Sequence, residues 1–168
     1  MGSLSNYEIE DMAKHYHFPL IDCCMKDELP AVPQDGYYII NLESSTHGSG
    51  THWTALIVQP NIALSFDSFG APPPPDIINF VKKRKHIHMA FNNEIIQDLD
   101  SSNCSYFCLY LIWYIEHHKG PLIHIVDEFT RLFNEDTKTN DKVLRQLFKN
   151  IADKNPPKPV LKLLKQKK

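Results

Sequence analysis

The fold is decided by the stretch Ser101-Ser102-Asn103-Cys104-Ser105-Tyr106-Phe107-Cys108-Leu109-Tyr110. A polar segment here gives way to an apolar run that continues to Ile115, and this is how a helix buried on most of its sides begins. Cys104 stands near this change. A thiol at a helix start is favoured as thiolate, because the first N–H groups have no intrahelical partner and the helix dipole is positive there. Cys104 is therefore a candidate nucleophile; the alternative is a small buried apolar residue like Cys108.

Two upstream segments supply a base and an acid. His52 stands at the start of an apolar, β-branched run to Val58 that is typical of a buried strand. The next such run ends at Asp67, and hairpin pairing of the two runs would return Asp67 to His52. A carboxylate in that position fixes the imidazole tautomer and stabilises the imidazolium. The alternatives are a structural histidine and a turn aspartate that binds local backbone N–H groups.

Gln97 supplies a fourth group. A short polar linker separates it from Cys104, so its amide can point at the same oxygen as the Cys104 backbone N–H. Fixed donors of this kind stabilise charge that develops in a transition state. Taken alone, Gln97 would be a surface polar residue. The four segments together indicate a cysteine acyl-transfer site, because each structural alternative would have to hold independently.

These motifs occur in a fixed order. They are Gly50-Thr51-His52-Trp53, Phe66-Asp67-Ser68-Phe69-Gly70 with Pro72-Pro73, Gln97, and Asn103-Cys104 with Tyr106-Phe107-Cys108-Leu109. From about Leu4 to about Phe133, the chain resembles the adenovirus-type (adenain-like) maturation proteases. These enzymes are relatives of the SUMO and ubiquitin-like-protein proteases, and related forms are encoded by virophages and Maverick/Polinton elements. The order His, acid, Gln, Cys differs from that of papain-like enzymes, in which Cys comes first.

The resemblance implies a role for each motif residue. His52 would be the general base, Asp67 its orienting partner and Cys104 the nucleophile, while Gln97 and the Cys104 N–H would form the oxyanion hole. It further implies a viral cysteine endopeptidase that cleaves capsid and virion precursors at Gly-containing sites during maturation. Such an enzyme requires no cofactor and no metal, and DNA and a short viral peptide are candidate activators. The chain departs from the family at Ser105, where the family has Gly, and this position bears on the shape of the oxyanion pocket.

Composition sets the protein class. A chain of 168 residues with 42% hydrophobic residues is long enough for one domain whose core needs no metal or disulfide. Four cysteines, with Cys23 and Cys24 adjacent, do not form a disulfide framework and fit a reducing compartment. The sequence has neither a membrane-spanning apolar stretch nor a signal-peptide layout. We therefore expect a soluble, non-secreted monomer without a membrane partner, and the resemblance implies the virion and the viral factory in cytoplasm or nucleus.

The element pattern predicts an α+β fold in a single catalytic domain, residues 1–153. The resemblance implies a central mixed sheet flanked by helices, with the nucleophile at the N-terminus of a buried helix. The predicted strands are Tyr37–Leu42, Trp53–Val58, Ile62–Phe66 and Ile87–Phe91. The predicted helices are one capped by Ser5 and Glu8 and ending near Tyr16, then Asp76–Lys83, Cys104–His117, Leu122–Phe133 and Asp141–Ile151.

The last segment, 154–168, is rich in Lys and Pro and lacks acidic residues. We expect a flexible basic tail that can bind DNA phosphates, the alternative being a solvated tail without a partner. Because the formal net charge is -2, any DNA contact must be local, at Lys82–Lys85 or at the tail.

Three other functions remain open at this point. A deubiquitinase or SUMO-type isopeptidase would use the same thiol on a folded modifier, and an acetyltransferase would use the same Cys and His. The third is a non-catalytic DNA-binding or capsid protein with a zinc site formed by the cysteines and histidines. Zinc is disfavoured because the chain has no paired C-x-x-C motifs.

Overall fold

The computed structural model describes residues 3–48 and 50–154, the last three as backbone. Within these residues the chain forms five helices and one five-stranded sheet, which confirms the predicted α+β class. The strands are β1 Leu20–Met25, β2 Gly36–Asn41, β3 Trp53–Val58, β4 Ile62–Phe66 and β5 His88–Phe91. The helices are α1 Asn6–His15, α2 Pro75–Lys82, α3 Cys104–His117, α4 Leu122–Thr130 and α5 Thr137–Lys154.

The sheet is mixed and its strands lie in sequence order. β2, β3 and β4 are joined by antiparallel pairing, while β1 and β5 are added in parallel at the two edges. The predicted hairpin of β3 and β4 is present, with Ala55 opposite Phe66. This register brings the start of β3 and the end of β4 to the same end of the sheet, and His52 and Asp67 lie there.

Helices cover both faces of the sheet. Alternate residues of β3 point to opposite faces: Ala55 and Ile57 join a core that includes residues of α1, α3, α4 and α5, whereas Leu56 and Val58 pack with α2. The central helix is α3, whose residues from Cys104 to Ile112 are all buried. Because nearly all sides of α3 are enclosed, its first residue is held rigidly behind the sheet.

The predicted helix start at Ser5 is confirmed. The Glu8 N–H donates to Ser5 Oγ at 3.3 Å, and the Glu8 carboxylate accepts from the Ser5 N–H at 2.8 Å. α3 also ends at the predicted residue, His117.

Some elements differ from the sequence prediction. β1 was not predicted: it is an edge strand on which only Cys23 is buried, so it has neither a clean alternation nor a continuous apolar run. α4 ends at Thr130 rather than Phe133, and the Thr130 hydroxyl donates to the Asp127 carbonyl at the helix end. α5 begins at Thr137 instead of Asp141, since its first turn is polar and carries no apolar period.

The predicted tail lies outside the described residues except for Lys154. Among the helices of the described part, none combines the length and the apolar character needed to cross a membrane.

Candidate active site

His52 and Asp67 are in direct contact at the end of the sheet where β3 begins and β4 ends. His52 Nε2 lies 2.8 Å from Asp67 Oδ1, and the side chains are 15% and 5% exposed. A carboxylate bound to Nε2 leaves Nδ1 as the nitrogen that can face another group. Asp67 therefore fixes both the orientation and the tautomer of the imidazole.

Asp67 is itself held in place, through its backbone and through its carboxylate. Its backbone N–H donates to Asn92 Oδ1 at 2.8 Å, and Asn92 Nδ2 donates to the Asp67 carbonyl at 2.7 Å. Asp67 Oδ1 also accepts the Phe69 N–H at 2.7 Å. The Phe69 ring stacks on the His52 ring, with centroids 4.8 Å apart and an interplanar angle of 26°. The imidazole is thus held at its edge by a carboxylate and on one face by an aromatic ring.

Cys104 begins α3 and is 4% exposed. Its Sγ accepts the backbone N–H of Trp53 at 3.4 Å, and since Trp53 follows His52 in the chain, the sulfur lies beside the residue that carries the base. Asn103 precedes the helix but its side chain makes no capping hydrogen bond. The Tyr106 N–H donates to the Asn103 carbonyl at 3.0 Å, whereas the N–H groups of Cys104 and Ser105 have no acceptor among the described residues and can receive an anion.

Two opposing effects set the pKa of His52. Burial lowers it, but the hydrogen bonds to Asp67 and Cys104, together with the charges of these two groups, raise the pKa of His52 to about 9. The raised pKa of His52 favours the imidazolium, which is the form that pairs with a thiolate.

The other three cysteines are poor nucleophiles. Burial, followed by the charges of nearby groups, raises the pKa of the Cys23 and Cys108 thiols well above their ordinary value and that of Cys24 to about 12. Cys108 is fully buried and its thiol donates to the Trp53 carbonyl at 3.6 Å. All four cysteines are free thiols, and the described residues contain no group of three or more His, Cys, Asp or Glu side chains that could hold a metal ion.

Gln97 is buried and held at both ends of its amide. Its Oε1 accepts the Ser68 hydroxyl at 2.5 Å, and its Nε2 donates to the Ser101 carbonyl at 2.8 Å. Nε2 carries a second N–H that this bond does not use. The amide therefore links the segment after β4 to the segment that leads into α3, and one donor remains for another acceptor.

No protein-family profile and no curated protein matches the sequence. Among solved structures, the chain is similar to the pS273R protease of African swine fever virus (ASFV). The selenomethionine crystal structure of that protease has a TM-score of 0.53 and 18% identity, over 76% of this chain and 65% of the other. A second crystal structure has a TM-score of 0.51 and 18% identity, over 83% and 66%.

The chain has the fold of the pS273R protease. At this identity the likeness concerns the fold, and the chain spans just under two thirds of the length of those proteins. The predicted sheet flanked by helices, with Cys104 at the start of a buried helix, is confirmed.

Sequence reasoning missed several residues of the site. Asn92 follows the edge strand β5, and no local pattern marks it as the partner of Asp67, which lies 25 positions away in sequence. Phe69 and Ser68 stood in a recognised motif, but without their contacts to His52 and Gln97. Asn92, Phe69 and Ser68 hold Asp67, His52 and Gln97 in place, and only the folded chain brings them together.

Two polar atoms on the residues that flank Cys104 have no partner within the described part of the chain. Asn103 Oδ1 and Ser105 Oγ are buried and form no hydrogen bond with any described residue. They flank Cys104 in sequence, and Ser105 stands where the adenovirus-type proteases have Gly. A buried polar atom without a hydrogen bond costs free energy, so each of these two atoms lowers the stability of the start of α3.

Proposed function

We propose that the protein is a viral cysteine endopeptidase in which Cys104 is the nucleophile, His52 the base and Asp67 the orienting acid. The observation that carries the proposal is an imidazolium-forming His52, bound through Nε2 to Asp67 at 2.8 Å, next to a thiol at the open N-terminus of a buried helix. Two of these features lower the cost of a thiolate: the helix dipole and the neighbouring positive charge. The fold that the chain shares with the pS273R protease supports the proposed function.

The proposed reaction follows from the positions of the groups. The Cys104 thiolate attacks the scissile carbonyl carbon, and the carbonyl electron pair moves to the oxygen. When the tetrahedral intermediate collapses, the C–N bond breaks and His52 gives its proton to the leaving amine. Water then attacks the thioester while His52 accepts a proton, and the C–S bond breaks to restore thiolate and imidazolium.

Gln97 is proposed as the side-chain donor to the oxyanion. Its amide is fixed by Ser68 and Ser101, so its remaining N–H needs no reorganisation during the reaction. The Cys104 backbone N–H would be the second donor. Preorganised donors of this kind are worth about 10² to 10³ in kcat each.

The substrates proposed are capsid or virion precursor proteins cut at Gly-containing sites. Cys104 is only 4% exposed, so a carbonyl can reach the sulfur only on an extended chain with little side-chain bulk at that point. Glycine meets this requirement. The resemblance to the adenovirus-type proteases supports the maturation role.

The test is cleavage of extended peptides from viral precursors that contain a Gly-X or Gly-Gly site, followed by mass spectrometry of the products. The 168-residue chain should cut them and Cys104→Ala should not. Ser102→Ala, an exposed change two residues away, should cut at the original rate. Ubiquitin and SUMO fused to a reporter would be assayed in parallel. Preference for these folded substrates would replace the proposal by an isopeptidase, and cleavage by Cys104→Ala would refute the site.

A further inference from the structure

A cavity of 320 Å³ lies next to the candidate nucleophile. Its walls are the start of α1, the end of β1 with the turn after it, and the loop between β2 and β3. Thr51 and Trp53, the two sequence neighbours of His52, both line it. The Trp53 N–H binds Cys104 Sγ at 3.4 Å, so Trp53 connects the wall of the cavity to the sulfur.

The cavity carries a negative charge. Among its described lining residues, Glu28 is the only one with a charged side chain, and within the described part of the chain it forms no salt bridge. After burial, the charges of Asp22 and Glu28, and then Asp27, raise the pKa of Cys24, which also lines the cavity. A cationic group inside would therefore be attracted by the Glu28 carboxylate, and no cationic side chain among the described lining residues offsets that charge.

The wall also has a polar group suited to a peptide backbone. Asn41 is 1% exposed and lines the cavity. Its Oδ1 accepts the N–H groups of Glu43 and Thr51 at 2.9 and 3.1 Å, whereas its Nδ2 has no acceptor among the described residues. Nδ2 lies against Gly50, another lining residue, at a distance that leaves no room for a Cβ there. Asn41 can thus donate to a carbonyl of an incoming chain.

The remaining walls are partly apolar, with Leu4, Met25 and Trp53. A lysine or arginine side chain combines the two properties that such a site requires, an apolar stem and a cationic end. An acidic side chain would be repelled by Glu28. A purely apolar one would leave the Glu28 carboxylate, which accepts the Met25 N–H at 3.3 Å, without a counter-charge.

We propose that this cavity binds a lysine or arginine side chain of the substrate close to the scissile bond. The inference rests on the proposed function and narrows its substrate class to precursors that carry a basic residue beside the Gly-containing cleavage site. Glu28 is then the specificity-determining residue, and Asn41 holds the substrate backbone.

The experiment uses the full-length protein and matched peptides. A cleavable Gly-containing peptide is prepared with Lys, Gln or Glu at each successive position on both sides of the scissile bond, and kcat/KM is measured for each. At one position we expect Lys to be preferred over Glu by about tenfold, since attraction by an exposed carboxylate is exchanged for repulsion. The preference should shrink at high salt.

Three variants test the assignment to Glu28. Glu28→Gln should remove most of the preference, and Glu28→Lys should invert it, because the cavity then repels Lys and attracts Glu. Glu28 is exposed, so these changes leave the core intact. Glu135→Lys is the matched control, because Glu135 is also exposed and does not line the cavity. This variant should keep the wild-type order of preference among the Lys, Gln and Glu peptides.

The outcomes separate this inference from the proposed function. Cleavage of all peptides at equal rates, or an unchanged Lys preference in Glu28→Lys, would overturn the cavity assignment and leave the protease intact. Failure of the wild type to cut any peptide would overturn both.

Discussion

Among single residues, the main feature of the site is that contacts with neighbours restrict the orientation of its side chains. The His52 ring is bound at Nε2 by Asp67 and covered on one face by Phe69. Asp67 is anchored through its backbone by Asn92. Catalysis by oriented groups depends on such restriction, because a misplaced base or donor loses most of its effect.

The oxyanion role proposed for Gln97 leads to a graded prediction. Gln97→Ala removes the amide and should lower kcat by about 10² to 10³ with little change in KM. Ser68→Ala keeps the amide but releases its Oε1, so kcat should fall by a smaller factor. Steady-state kinetics on one peptide, with circular dichroism to verify folding, would measure both. If Gln97→Ala and Ser68→Ala lower kcat/KM equally, and only by raising KM, Gln97 contributes to substrate binding and does not stabilise the oxyanion.

The raised pKa of His52 predicts the alkaline limit of activity. The active pair needs the imidazolium, so kcat/KM should fall as pH rises through the pKa of His52, about 9. Asp67→Asn removes one cause of the raised pKa and should move this limb to lower pH. A pH profile of both proteins measures the shift, and an alkaline limb that stays in place in Asp67→Asn would contradict the account.

The same shift affects stability. The folded-state pKa of His52, about 9, lies above the ordinary 6.5, so the folded protein binds the proton more tightly. The contribution of His52 protonation to the free energy of unfolding is complete below pH 6.5 and disappears as the pH rises to about 9. The free energy of unfolding of the wild type relative to His52→Ala should decline over that window.

At the scale of elements, the helix α3 and the hairpin of β3 and β4 bring the reacting groups together. Both were predictable, because their information is local: an apolar run with a polar start for α3, and two short apolar runs with a brief connection for the hairpin. β1 was missed because an edge strand with one buried residue has no clear period. Asn92 was missed because its contact with Asp67 depends on the parallel pairing of β4 with β5.

The start of α3 allows a stability prediction. Ser105 is fully buried and its hydroxyl has no partner, so Ser105→Ala removes an unsatisfied polar atom and improves helix propensity. We expect the free energy of unfolding to rise by about 1 kcal/mol, with peptide cleavage retained. Ser102→Ala, at an exposed position, should change stability by less than about 0.5 kcal/mol. Urea denaturation would measure both, and destabilisation by Ser105→Ala would show that the hydroxyl has a bound partner.

At the scale of the whole molecule, charge limits how nucleic acid could act. The formal net charge is -2, and in the basic segment Lys82–Lys85 the Arg84 guanidinium pairs with Asp35. The segment 155–168 lies outside the described residues. Composition and apolar pattern predicted the α+β class and one core, whereas a partner cannot be read from charge runs alone, since solvated surfaces carry them too.

If DNA activates the enzyme, its effect should depend on salt. We expect added DNA to raise peptide cleavage at low ionic strength and to lose its effect at high ionic strength. Replacement of Lys82, Lys83 and Lys85 by Ala should weaken the effect, while Lys149→Ala, on α5, serves as the control. Equal cleavage with and without DNA at low salt would rule out this activator.

The central claim is that Cys104 reacts as a thiolate paired with His52. The most direct measurement is mass-spectrometric mapping of the site labelled by an electrophilic peptide that ends in a Gly-Gly segment. A single label on Cys104 is expected, strongly reduced in His52→Ala and retained in Cys108→Ala. A label on Cys23, Cys24 or Cys108, or labelling of Cys104 at the same rate without His52, would contradict it.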